Sequence, residues 1–139
     1  MNGELHVSPL TVMADPVRLK DILNGGKAGL HPSVAYIFKK QLVEGDIILI
    51  SKTDLLTAEE LTLLKKKTKI SYPNTAIKSI SVATVDGMGN WLNEVLSRSD
   101  TGNNLVEVNY DVYAEYEAVM GLLNSTFELN GSSVDWDVL

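Results

Sequence analysis

The stretch GDIILISKTDLL, residues 45–56, decides how the rest of the chain is read. Its first half, DIILI, is apolar at consecutive positions, the pattern of a β-strand covered on both faces rather than on one. Its second half sets a hydroxyl, an ammonium and a carboxylate, those of Ser51, Lys52 and Asp54, side by side in a turn. A strand buried on both faces implies a parallel sheet flanked by helices, and ligands of such sheets bind just beyond the carboxyl ends of the strands. The polar cluster therefore stands where a binding site is expected.

Working outward, LTVMA (residues 10–14) is a second short apolar run. DPVRLKDILNGG follows it with helix signals at both ends: Asp15 as cap, Pro16 at the first helical position and Gly25 to end the helix. HPSVAYIFKKQLVEG predicts a helix from Pro32 or Ser33, with Val34, Ile37, Phe38 and Leu42 on one face and Gly45 as its stop. Downstream of the opening stretch, Thr57 and Glu60 form a capping box for a helix whose inward stripe is Leu61 and Leu64. AIKSISVAT is the third strand candidate, VDGMG breaks it with Gly87 and Gly89 supplying positive φ, and NWLNEVLSRS reads as a helix with Trp91, Leu92, Val95 and Leu96 apolar. Strands alternating with helices predict an α/β fold, a parallel sheet of about three strands built from βαβ units.

Residues 1–98 form one unit on this reading, and the polar RSDTGNN opens a linker over 99–108. Residues 109–139 form a C-terminal segment in which Tyr113, Tyr116, Met120, Leu123 and Phe127 recur at helical spacing, predicting an amphipathic helix. With 139 residues, 45% hydrophobic and 22% charged, the chain is the size and composition of a single globular domain. A formal net charge of -6 argues against nucleic acid as a partner. The absence of cysteine excludes disulfides and Cys-based zinc sites within the chain. No apolar window is long enough for a membrane helix and the first ten residues lack signal-peptide character, so no membrane partner and a cytoplasmic location are expected.

The chemistry of the turn is specific. A carboxylate accepts two hydrogen bonds side by side, and guanine offers two adjacent donors on its Watson–Crick edge, so Asp54 is suited to read guanine and reject adenine. The stem of Lys52 fits along a purine face, and Ser51 fits a side-chain to backbone bond that holds the loop. Ser81 ends the neighbouring strand candidate, where backbone N–H groups of the turn are placed to meet the base carbonyl. Each element also has a plainer reading: Asp54 or Thr57 as a helix cap, Lys52 as a solvated side chain, and VDGMG as an ordinary strand-to-helix turn. Asp15 reads as an N-cap or as a magnesium-related carboxylate, and the run Lys65, Lys66, Lys67 and Lys69 as the solvated face of a helix. His6 and His31 lie in separate segments, the usual situation of structural or exposed histidines.

KKQLVEGDIILISKTDLL, ISVATVDGMGNWLNEVL and NYDVYAEYEAVMGLLN, in that order, resemble the second half of the CobW-type GTPases, relatives of the nickel-insertion GTPases associated with metallochaperone work and cobalamin biosynthesis. The similarity runs over residues 9–124. It implies part of a P-loop-NTPase-like sheet, with GTP or GDP as ligand. By position, Lys52 and Asp54 match the family's Asn-Lys-x-Asp guanine motif and Ser81 the serine of its Ser-Ala loop. Ser51 stands in place of the Asn and Val82 in place of the Ala, two departures that lower the expected affinity. The family's Gly-x-x-x-x-Gly-Lys-Ser/Thr phosphate loop and its Cys-x-Cys-Cys metal motif do not occur in this sequence. Magnesium and a transition metal are therefore expected only in a full-length relative, and GTP hydrolysis by this chain alone is not expected. No residue is assigned a catalytic or metal-binding role. The strand lacking its phosphate-loop neighbour predicts an open sheet edge, and with it either a homodimer or a separate phosphate-loop half as partner. The alternative is a non-catalytic protein-interaction module derived from such a GTPase.

Overall fold

The computed structural model describes residues 7–98; the linker and amphipathic helix expected over 99–139, and His6, lie outside the described residues. Strands β1 (Thr11–Ala14), β2 (Ile47–Ile50) and β3 (Ala76–Ser79) form a parallel sheet in the order β1-β2-β3. Helices α1 (Pro16–Leu23) and α2 (Pro32–Glu44) lie between β1 and β2 in the chain, α3 (Ala58–Ser71) between β2 and β3, and α4 (Met88–Ser97) after β3. Ala14 is paired with Ile50 and Ile50 with Ser79, so the three strands end level. That level end is what lets their following loops meet.

Local chemistry accounts for the helix starts. The Asp15 carboxylate accepts the amides of Val17 and Arg18 at 2.9 and 3.2 Å, with Pro16 in the first turn. Thr57 Oγ1 accepts the Glu60 amide at 3.2 Å while Glu60 Oε2 accepts the Thr57 amide at 2.9 Å, completing the capping box. Gly45 ends α2 as expected, but for another reason than a left-handed turn. Its φ is -61°, while a Cβ at this position would lie 2.9 Å from Val12 Cγ2, so a larger residue would press on the Val12 side chain of β1.

Val12, Ala14, Ile48, Ile50 and Ile77 alternate along the strands onto one face, where they pack with Leu19 and Ile22 of α1, Ala35 and Leu42 of α2, and Leu64 of α3. Three crossover helices on one face is the arrangement expected when parallel strands are laid down in one direction. The opposite face receives α4: Trp91 Nε1 donates to Thr11 Oγ1 at 3.3 Å, and Lys78 pairs with Glu94. Trp91 and Val95 are half-buried, whereas Leu92 and Leu96 of the same apolar set are exposed. All four β2 side chains are completely buried. At the amino ends of the strands the buried carboxylate of Asp46 accepts the Leu10 amide at 2.9 Å, and Leu10 O accepts the amides of Asp46 and Ile47, clasping β1 to β2. Among the described residues no helix is long and apolar enough to cross a membrane.

Truncation of a β2 side chain on this face leaves a cavity in the core shared by β1, β3 and helices α1 to α3. Ile48→Ala is expected to lower unfolding stability by about 2–5 kcal/mol, read from the shift of the denaturation midpoint at constant slope.

Candidate functional site

The carboxyl ends of the three strands are joined by backbone before any side chain acts. The Ser51 amide donates to Ala14 O at 3.0 Å, the Ile80 amide to Ile50 O at 2.8 Å, and the Thr53 amide to Ile80 O at 3.2 Å. The loop after β2 is thus held by both neighbours. Its short 3-10 turn spans Thr53–Leu55, and Lys52, immediately before it, takes the left-handed conformation at φ 53° and ψ 39°. For a residue with a Cβ that conformation costs about 1–2 kcal/mol. The flanking hydrogen bonds offset it.

Side chains then continue the same ties. Ser51 is buried and its Oγ donates to Ala14 O at 3.1 Å, which is the loop-holding bond its sequence position predicts. Ser81, 1% exposed, donates its Oγ to Asp54 Oδ1 at 2.5 Å. Asp54 itself is exposed, and each carboxylate oxygen carries two lone pairs, so the contact with Ser81 leaves acceptor capacity on both oxygens. Asp54 and Ser81 are therefore brought together on the β3 side of the loop, while Lys52 reaches to Asp15 on the β1 side and Ser51 is tied to Ala14. Val82 is 71% exposed at the rim of the turn.

The turn after β3 differs from its sequence reading in two respects. The Ser81 amide donates to Asp86 O at 3.0 Å and the Thr84 amide to Ser81 Oγ at 3.2 Å, so these N–H groups close the turn on itself and are not presented outward. The second correction concerns glycine. Gly87 has φ +76° and a Cβ there would collide with Ser79 O, but Gly89 is inside α4, and the other left-handed residue of the turn is Val85 at φ 64°. Thr84 Oγ1 donates to Asp86 Oδ2 at 2.7 Å across that strained residue.

Asp15 was legible as a helix cap but not as a partner of Lys52. Its Oδ1 holds the α1 amides while Oδ2 lies 3.0 Å from Lys52 Nζ. Burial works to raise the Asp15 pKa, but the Lys52 hydrogen bond, the amides of Arg18 and Val17 and the Lys52 charge together hold it below the ordinary value of 3.8. The signal in the sequence was positional: in adjacent parallel strands that end level, the residues that follow them must meet.

A cavity of about 740 Å³ opens beside this ion pair, lined in part by Met13, Asp15, Arg18, Ile37, Phe38 and Lys52. It adjoins Lys52 and does not extend over Asp54 and Ser81. His31 contacts Ser33 Oγ through Nδ1 at 2.7 Å, at the start of α2. Among the described residues no group of three His, Cys, Asp or Glu side chains is placed to hold a metal ion. No family model matches the chain, and no curated protein matches it.

The sign of the Asp15 shift fixes a pH dependence. A carboxylate with a depressed folded pKa contributes stability that is fully present above its unfolded value and lost as pH falls through the folded one. Asp15→Asn keeps a capping side chain and removes the charge. The stability difference between the native chain and this variant is therefore expected to be constant from about pH 5 to 8 and to shrink below about pH 4, measured by thermal melts across that range.

Proposed function

We propose that this chain is the base-recognition part of a CobW-type guanine-nucleotide-binding protein of the cytoplasm. In this reading the Asp54 carboxylate accepts the two donors of the guanine edge, the Lys52 stem lies along the purine, and Ser51, Ser81 and Val82 shape the two loops that close around it. The observation that carries the reading is the Ser81–Asp54 hydrogen bond. It fixes an exposed carboxylate between the loops of adjacent parallel strands, at the end of the sheet where ligands bind. A base site without a phosphate loop has nothing to stabilise charge on a transferring phosphoryl group, so the chain binds GTP or GDP without hydrolysing it alone.

A second observation supports a partner. Among the described residues β1, like β3, pairs on one side only, and Leu10 and Met13 of the β1 segment are 50% and 56% exposed. The cavity lined by Met13, Ile37 and Phe38 adds an apolar face to that edge. An open strand with apolar flanks favours pairing with a second copy or with a separate phosphate-loop half. The same edge would serve the alternative function, a non-catalytic interaction module, in which no nucleotide binds.

Titration with GDP against ADP, followed by intrinsic fluorescence, separates the two readings: preference for the guanine nucleotide is expected, and no binding of either leaves the interaction module. Asp54→Asn replaces one acceptor by a donor and should weaken guanine binding by about 1–3 kcal/mol while favouring xanthine. Unchanged guanine affinity in that variant refutes the assignment. Sedimentation at micromolar concentration should show a dimer, and a monodisperse monomer would count against self-pairing at β1.

A further inference from the structure

Resting on the base-site reading above, we propose that Asp15 is the positioning residue of that site: its carboxylate tethers the Lys52 ammonium and so holds the lysine stem in place as a preformed platform for the base. The two oxygens divide the work. Oδ1 is committed to the amides of Val17 and Arg18 at the start of α1, and Oδ2 lies 3.0 Å from Lys52 Nζ. One end of the tether is thus anchored to a helix.

The other end is equally constrained. Lys52 has the left-handed backbone at φ 53°, its preceding residue Ser51 is bonded to Ala14 O through both amide and hydroxyl, and the following amide of Thr53 is bonded to Ile80 O. With the main chain fixed on both sides and Nζ held by Asp15, the intervening methylenes run between two fixed points. The Lys52 side chain is 61% exposed, so the stem remains available to a ligand while its terminal charge is satisfied. A free lysine loses rotamer freedom when a base stacks on it, and a tethered one has lost part of that freedom beforehand. The gain is preorganisation. Its size is bounded by the exposure of the pair, because ion pairs of this kind contribute little in water.

The test is a double-mutant cycle on guanosine affinity, measured by calorimetry at pH 7, with Asp15→Asn, Lys52→Met and the pair. Asn retains the helix cap and Met retains an unbranched apolar stem, so each variant removes the tether while keeping the cap or the stem. Each single variant is expected to bind guanosine about threefold more weakly, and the double variant no more weakly than either one. A carboxylate acting only as a helix cap would give the same Asp15→Asn effect whatever stands at position 52, and multiplying losses would overturn the proposal. Guanosine binding unaltered by Asp15→Asn but lost in Asp54→Asn would overturn it alone. Absence of guanosine binding by the native chain would overturn the base site and the tether together. Circular-dichroism melts of all variants at the same pH establish that each is folded at the assay temperature.

Discussion

The burial of β2 on both faces is the constraint on which the other features depend. Ile47, Ile48, Leu49 and Ile50 are 0% exposed. Withdrawing such side chains from water is worth roughly 1.5–3 kcal/mol each, an appreciable share of the 5–15 kcal/mol by which a domain is stable. To achieve it, the strand needs a neighbour at each edge and cover on each side. The sheet order β1-β2-β3, with α1, α2 and α3 on one face and α4 on the other, meets that need. A central parallel strand must also leave the sheet at its carboxyl end, where the chain turns back over the top. Polar residues become concentrated there for a simple reason: it is the first place after four buried positions where water is available to them.

What distinguishes this exit from an ordinary turn is how completely it is tied to its neighbours. Ser51, Thr53 and Asp54 each bond to a residue at or just beyond the end of an adjacent strand. Lys52 reaches back to Asp15. The left-handed conformation at Lys52, which is not glycine, persists because the surrounding bonds over-determine it. Strain of this kind gathers where a structure presents groups in a fixed arrangement. An exposed carboxylate and an exposed, tethered lysine stem are consistent with recognition of a flat ligand by geometry fixed in advance, with little ordering left to occur on binding.

The molecule is asymmetric about its central strand. Beyond β3 the chain turns tightly, with the Ser81 and Thr84 amides closing the loop internally and Gly87 approaching the backbone of Ser79. Along β1, Met13 is largely exposed and the broad cavity beside Asp15 and Lys52 opens next to it, although among the described residues β1 and β3 alike pair on one side only. The pairing of Asp15 with Lys52 lies between these two regimes.

Local rules were sufficient for much of the architecture. The Asp15 cap, the proline of α1 and the Thr57–Glu60 capping box act within a single turn of chain, and each appears where the sequence places it. Consecutive apolar residues in DIILI were enough to define a central parallel strand, because only cover on both faces accounts for them. The sequence also marked Ser51, Lys52, Asp54 and Ser81, since polar residues at strand ends have few alternatives to a turn at the rim of the sheet. Tertiary structure alone decided how those residues meet. Gly45 abuts Val12, Asp15 pairs with Lys52 and Ser81 with Asp54, all contacts between positions distant in the chain whose distances depend on strand register. Propensity and periodicity report what a residue does with its near neighbours. Which side chains share a site is settled only when separate strands are set level against one another, because a shift of that register by one residue moves each side chain to the other face of the sheet.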